Sequence, residues 1–269
     1  MIRPAEIQRI AGTVRVRDTQ IEKDYILSWI LIGIAHDEQL RKALFFKGGT
    51  VLKKFYFKNY RYSEDLDFTL ADLSMTAEDV HKHFETAKEF VAQEANIRLS
   101  VNDFNVHSTG NIYFYLQYVG PLGGSGENKK VKVDISTDEH ICFPTEERTM
   151  FKTFSDELPC RIQCYSLDEV MVEKLRSLIS RTQPRDYYDL WYLCEQENMD
   201  MAFHQPEFEQ KCVHKGIDAL SLEDKLNAKL DNFKARWIQS LQDQIADLPP
   251  FEQINRELSR HFKRFFKDR

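Results

Sequence analysis

The stretch Asp65-Leu66-Asp67-Phe68-Thr69-Leu70 constrains the fold more than any other in this chain. Its polar/apolar alternation has the period of a strand with one covered face, so Leu66 and Phe68 point into a core while Asp65 and Asp67 share the other side. Two neighbouring carboxylates repel, and one would be driven toward its protonated form unless a cation supplies opposite charge. With no His or Cys nearby, the donors are all oxygen, which suits Mg²⁺ and disfavours zinc. The competing reading of an Asp-x-Asp strand is a plain solvated face.

What surrounds the pair decides between these readings. Upstream, Leu44-Phe45-Phe46 is a short apolar strand, Lys47-Gly48-Gly49-Thr50 a turn, and Val51-Leu52 with Phe55-Tyr56 have helical spacing. Gly48 and Gly49 permit a backbone turn whose N–H groups open a helix, a ready site for the anionic triphosphate of an NTP, and Thr50 can add a hydroxyl bond. Downstream, Lys132-Val133-Asp134 repeats the strand logic. Asp134 can complete an acidic triad with Asp65 and Asp67 for a two-ion Mg²⁺ site, and Lys132 shares its face as a phosphate-facing cation. Strand, Gly-Gly-Thr turn, helix, an Asp-x-Asp strand about fifteen residues on and a later strand with one Asp together resemble the layout of polymerase-beta-like nucleotidyltransferases.

The remaining pattern predicts an α+β chain. A helix over Thr19 to Ala35, carrying Glu22 and Asp24 in its polar first turns, is expected behind the sheet. Thr76 with Asp79 starts a helix that reaches about Ala95. Ile97 to His107, Ile112 to Val119 and Val131 to Ile135 read as strands, with Pro121 to Asn128 a glycine-containing hairpin loop. From the capping box at Ser166 to Glu169 onward the chain reads as helices, at about 167–181, 185–197, 205–217, 222–246 and 251–266, broken at Pro184, Pro206 and Pro249-Pro250. This divides it into an N-terminal catalytic domain, residues 1–165, with a mixed β-sheet flanked by helices, and an all-helical C-terminal domain, residues 166–269.

In the second part Lys174 and Arg181 fall on one face of a capped helix, and Asp186 and Asp189 begin the next. Two readings stand for the acids, an interhelical salt-bridge network or direct catalysis. Lys174 is read as a phosphate-neutralising cation, so Lys174→Ala is expected to weaken NTP binding with little change in stability. Tyr187, Tyr188, Trp191 and Tyr192 read mainly as core, with Tyr188 open to base stacking. His81 and His83, two apart on a helix, face different ways and make poor metal ligands.

Charge limits the partners. The chain has 37 Lys/Arg against 43 Asp/Glu, a net −6, so any contact with nucleic acid needs a local patch. The patch is the end of the chain, where Arg256 to Arg269 carries six Lys/Arg against Glu257 and Asp268. Arg260, Lys263, Arg264 and Lys267 form one helical stripe, with Leu258, Phe262 and Phe265 opposite; the alternative is an ordinary solvated face. The five cysteines form no CxxC pair and read as reduced thiols. No stretch matches a secretory signal or a membrane span, so the expected location is cytoplasmic.

Phe46-Lys47-Gly48-Gly49-Thr50 and Arg61-Tyr62-Ser63-Glu64-Asp65-Leu66-Asp67-Phe68 together resemble the signature of the AbiEii/AbiGii toxin family of nucleotidyltransferases. Glu22-Lys23-Asp24-Tyr25 is similar to that family's opening helix, Lys132-Val133-Asp134 to its Lys-x-Asp motif, Lys174-Leu175 to the start of its third motif, and Asp186-Tyr187-Tyr188-Asp189 to its last. Ser180 stands where the third motif usually has Ala or a small residue, and no motif is recognisable after about residue 200. The resemblance implies a Mg²⁺-dependent nucleotidyltransferase. It would act as the toxin of a toxin–antitoxin or phage-defence pair with a cognate antitoxin, moving a nucleotide from an NTP to an acceptor hydroxyl, the 3′ end of tRNA or another RNA. It assigns Asp65, Asp67, Asp134, Lys174 and Asp186 to catalysis, and Gly48, Gly49, Thr50, Lys132, Lys174, Arg181 and Asp189 to the nucleotide. Two other functions compete: transfer to a small molecule or protein hydroxyl, and NTP binding without turnover. Retention of three metal-type acids argues against the last.

Overall fold

A computed structural model describes residues 1–124, 126 and 129–267. The chain forms two compact units, one of Met1–Glu139 with Thr145–Cys164, the other of His140–Pro144 with Tyr165–Arg269. Among the described residues, no helix is long and apolar enough to cross a membrane, and the five cysteines form no disulfide.

The first unit opens with α1 (Pro4–Val14), α2 (Asp18–His36) and the short α3 (Glu38–Ala43), which lead into β1 (Leu44–Lys47). The Gly-Gly-Thr segment then forms a single helical turn, α4 (Gly48–Val51), that continues as a π-helical turn over Leu52–Tyr56. β2 (Leu66–Leu70), α5 (Ala77–Ala95), β3 (Arg98–Val106), β4 (Ile112–Val119), β5 (Lys130–Ser136), β6 (Glu146–Thr149) and β7 (Arg161–Cys164) complete it. Asp79 N–H donates to Thr76 Oγ1 at 3.2 Å and Thr76 N–H to Asp79 Oδ2 at 3.0 Å, the reciprocal cap expected at the start of α5.

Among the described residues seven strands make one mixed sheet in the order β3-β4-β5-β2-β1-β7-β6. β2 runs parallel to β5 and antiparallel to β1, and β1 runs parallel to β7. One face is apolar across the central strands: Phe46, Leu66, Phe68, Phe114, Val133 and Ile135 are buried. α5 covers part of that face, its Phe84 ring edge-on to Phe114 at 4.9 Å, and α2 packs on α5. The buried charges of α2 are matched locally. Asp24 pairs with Lys54 at 2.8 Å, and Glu22 accepts the Leu122 N–H at 2.7 Å and binds Lys129, which pins both ends of the hairpin loop between β4 and β5. Ser125, Glu127 and Asn128 of that loop lie outside the described residues.

The second unit is helical, with α6 (Leu167–Ser180), α7 (Pro184–Trp191) continuing as a π-helical turn over Tyr192–Gln196, α8 (Gln205–His214), α9 (Leu222–Leu241) and α10 (Phe251–Lys267). Ser166 caps α6 by accepting from the Glu169 N–H at 3.2 Å. At the other end of α6, the Lys229 ammonium donates to the carbonyls of Leu178 and Ile179 at 2.7 Å each, satisfying acceptors that have no partner within the helix. The aromatic cluster of α7 is core: Tyr187 stacks on Phe233 at 5.2 Å, and Tyr188 is buried against Trp191 and Trp237.

Candidate active site

The face of the sheet opposite the apolar core carries the charged residues. Asp65 is the last residue before β2 and Asp67 the second within it; both are half-buried beside fully buried Leu66 and Phe68. Strand register pairs Asp67 with Asp134 of β5 on one side and with Lys47 of β1 on the other, and Asp134 in turn with Tyr113 of β4. Residues paired across strands share a face, so Asp67 and Asp134 stand as immediate neighbours, about 5 Å apart at the backbone.

The turn after β1 is shaped around these groups. Gly48 has φ +79°, and a Cβ there would lie 2.3 Å from Asp67 Oδ2, so the carboxylate occupies space that any side chain would fill. A Cβ on Gly49 would lie 2.4 Å from Arg61 Nη2, which brings a buried guanidinium against the same turn. Thr50 is buried, and its hydroxyl donates to the Asp65 carbonyl at 2.6 Å, fixing the chain as it enters β2. Gly48→Ala should therefore cost about 1–2 kcal/mol in backbone strain and displace Asp67. A loss of nucleotidyl transfer far larger than the fall in thermal stability is the expected result, with turnover and Tm measured on one preparation.

Lys132 Nζ meets Asp134 Oδ2 at 2.7 Å. Partial burial works against its charge, but the bond to Asp134 and the nearby Asp65 carboxylate outweigh that cost, and its pKa is raised. Lys47 is buried; its ammonium donates to Ser136 Oγ and pairs with Glu139 Oε1, each at 3.2 Å.

Among the described residues no three His, Cys, Asp or Glu side chains are gathered as a metal cluster. The donor set nevertheless suits a hard divalent cation. Asp65, Asp67 and Asp134 offer only oxygen, Gly48 clears room at the Asp67 carboxylate, and the Lys132 ammonium stands on Asp134 as a positive counter-charge.

The second unit holds its own charged cluster. Lys174 Nζ lies 2.7 Å from both Asp186 Oδ1 and Asp189 Oδ2, and Arg181 Nε lies 2.7 Å from Asp186 Oδ2. Lys174, Asp186 and Asp189 are buried. Burial opposes ionisation of Asp186, but Lys174 and Arg181 overcome it and hold its pKa below the usual carboxylate range. Four charges thus tie α6 to α7.

The family model described as "Nucleotidyl transferase AbiEii toxin, Type IV TA system" matches residues 29–266. The chain belongs to the AbiEii family of nucleotidyltransferase toxins. No curated protein matches it. Among solved structures, the nucleotidyltransferase toxin MenT4 of Mycobacterium tuberculosis is similar with a TM-score of 0.63 at 17% identity, covering 98% of this chain and 89% of that one. JHP933 of Helicobacter pylori is similar with a TM-score of 0.53 at 17% identity, covering 94% of this chain and 96% of that one. The α+β fold expected from the sequence is thereby shown, as is nucleotidyltransferase activity through the family. The family match also runs past residue 200, where the sequence has no recognisable motif.

Within this AbiEii chain, the first unit brings together Gly48, Gly49, Thr50, Asp65, Asp67, Lys132 and Asp134. Lys174, Arg181, Asp186 and Asp189 belong to the second unit, where they bind one another. Sequence reasoning gave no role to Arg61 or Lys47. The signal for Arg61 was weak, since it lies in the irregular Asn59–Ser63 link and its place against Gly49 depends on how that link folds back. Lys47 had a signal, being next to the Gly-Gly turn on a strand whose register could be paired with Asp67.

Proposed function

We propose that this AbiEii toxin is a divalent-metal-dependent enzyme, with Mg²⁺ the preferred ion, that transfers a nucleotide from an NTP to the 3′ hydroxyl of a tRNA or similar RNA. The observation that carries this reading is the register of Asp67 with Asp134 on the open face of the sheet, with Gly48 against the Asp67 carboxylate and Lys132 bound to Asp134. Divalent metal, when bound by Asp65, Asp67 and Asp134, supplies charge that lowers the pKa of the attacking hydroxyl and neutralises the phosphates. In the reaction the acceptor hydroxyl gives its proton to solvent as its oxygen forms a bond to the α-phosphorus, the bond from that phosphorus to the β-phosphate bridge oxygen breaks, and pyrophosphate leaves.

The chain's own groups do the positioning. Backbone N–H groups of the Gly48-Gly49 turn face the polyphosphate, Arg61 and Lys132 add positive charge, and Asp67 and Asp134 orient the reacting oxygens. Lys174, joined to Asp186 and Asp189, supports the second unit in this reading, and the interhelical network is the role its geometry favours. A cognate antitoxin is the expected partner, in keeping with the type IV toxin–antitoxin description of the family.

Incubating the protein with each labelled NTP, Mg²⁺ and total RNA, then resolving the products on a gel, tests the reading. A labelled tRNA-sized band supports it; label appearing only on protein or on small molecules overturns the RNA acceptor.

The C-terminal stripe gives a second, independent check. On α10, Leu258, Phe262 and Phe265 are buried, while Arg260, Lys263, Arg264 and Lys267 are exposed. Arg260 pairs with Glu195 at 3.1 Å and Arg264 with Asp200 at 2.8 Å, whereas Lys263 and Lys267 make no ion pair among the described residues. Asp268 and Arg269 lie outside the described residues. If the two lysines alone contact RNA phosphates, replacing all four cations by Ala should flatten the log–log salt dependence of RNA binding by about 1.4; if all four do, by about 2.8. NTP binding should not change. Identical slopes in the two proteins would make the stripe an ordinary solvated face.

A further inference from the structure

The open face of the sheet extends past the acidic residues toward β7 and β6, and the next row of side chains there lines a cavity. Phe45 is opposite Thr69 in β1–β2, the pairing of Phe46 with Cys164 puts Phe45 beside Gln163, and Gln163 pairs with Glu147. Phe45, Gln163 and Glu147 thus form a row across three strands, on the same face as Asp67 and two residues along β1 from the Asp67 partner Lys47. Strand spacing and rise put Phe45 about 8 Å and Gln163 about 12 Å from Asp67 at the backbone.

This row, with Arg41, Lys42 and Thr145, lines a cavity of about 260 Å³. Arg41 and Glu147 also line a second cavity of about 530 Å³, walled by Ile32, Phe90, Leu158 and Pro159. Phe45 is half-buried within β1 between fully buried Leu44 and Phe46, so its ring is the aromatic surface this face offers to the cavity. Lys42 is tied to Glu38 at 2.6 Å and Glu147 to Arg161 at 2.6 Å. Arg41 is half-buried, and its guanidinium makes no hydrogen bond or ion pair among the described residues. An aromatic face, two side chains able to pair with base edges and a guanidinium with no hydrogen bond among the described residues are the elements that hold one nucleotide of a single strand.

We infer that this cavity is an acceptor-strand subsite: Phe45 stacks a base of a single-stranded RNA 3′ end, Gln163 and Glu147 meet its polar edge, and Arg41 binds the adjoining phosphate while the terminal hydroxyl reaches Asp67 and Asp134. The inference rests on the proposed RNA acceptor. A second nucleoside triphosphate suits the place less well, because the cations here already face acids: Lys42 pairs with Glu38, Arg161 pairs with Glu147, and the Arg41 charge also acts on Glu38.

Binding of a fluorescently labelled single-stranded RNA, read by anisotropy, tests the subsite whether or not transfer occurs. Arg41→Ala and Phe45→Leu should each weaken RNA binding about tenfold or more, with Tm held and the KM for NTP within about twofold, since neither residue belongs to the nucleotide turn. In the transfer assay the same variants should raise the KM for RNA and leave kcat largely intact. Unchanged RNA affinity in variants that keep the wild-type Tm overturns the subsite, as does failure of the wild-type protein to bind RNA. RNA binding that both substitutions weaken, in a protein that never labels RNA, leaves the subsite standing and removes the RNA-acceptor function instead.

Discussion

Asp67→Asn is expected to lower nucleotidyl transfer at least a hundredfold while leaving Tm within about 2 °C of wild type. The side chain is half-buried and near-isosteric with Asn, so the room cleared by Gly48 is filled as before and the apolar face of β2 is untouched. What changes is charge. The neighbouring Asp134 loses the partner with which it would share a cation, and the repulsion between the two in the metal-free protein falls, which can raise stability slightly. Retention of more than about a tenth of wild-type turnover would remove Asp67 from the reacting centre.

Lys174→Met should have the opposite profile. The substitution keeps an apolar stem of similar length but removes the ammonium shared by Asp186 and Asp189, leaving two buried carboxylates short of one positive charge. Losing one member of a buried ion-pair network costs about 3–5 kcal/mol, which for a unit of this size is a fall in Tm of at least about 10 °C. NTP affinity measured well below that Tm should change little. Should the protein keep its Tm and lose NTP affinity, Lys174 is a nucleotide ligand, as first expected from the sequence. The same network sets a pH dependence. The pKa of Asp186 is lower in the folded state, so its contribution is fully present above the unfolded carboxylate value of about 4 and is lost as pH falls through the folded value. Acid unfolding monitored by fluorescence should begin at higher pH in Asp186→Asn than in wild type.

Where side chains obey a period, the fold could be read directly. The alternation of Asp65 to Leu70 and of Ile112 to Val119, and the capping residues Thr76 and Ser166, correspond to β2, β4, α5 and α6. Elements held by tertiary contact were not legible. β6 is Glu-Glu-Arg-Thr, polar on both faces, and is a strand because it adds to the edge of β7. α3 has only six residues and depends on Asp37, which accepts from the Leu40 N–H at 2.9 Å. α7 gives way to a π-helical turn at Tyr192, and α9 ends at Leu241, short of the expected 246. For the site, residue order singled out Asp65, Asp67 and Asp134 as candidates, Asp67 and Asp134 within patterned strands and Asp65 just before one. Pairing was not legible from order: that Asp67 neighbours Asp134, that Gly48 makes room for a carboxylate and Gly49 for Arg61, and that the Thr50 hydroxyl is spent on the Asp65 carbonyl all depend on register and loop geometry. Lys174 shows the same limit, because a lysine at helical spacing from an arginine reads equally as ligand or brace until its partners are known.

The most direct test of the reacting centre compares NTP labelled at the α-phosphate with NTP labelled at the γ-phosphate, in the presence of Mg²⁺ and RNA, for wild type, Asp67→Asn and Asp134→Asn. Wild type should transfer the α label and not the γ label, chelating the metal should abolish transfer, and both variants should lose it while remaining folded. Transfer of the γ label, or α-label transfer by the two variants at the wild-type rate, would contradict the proposed reacting centre.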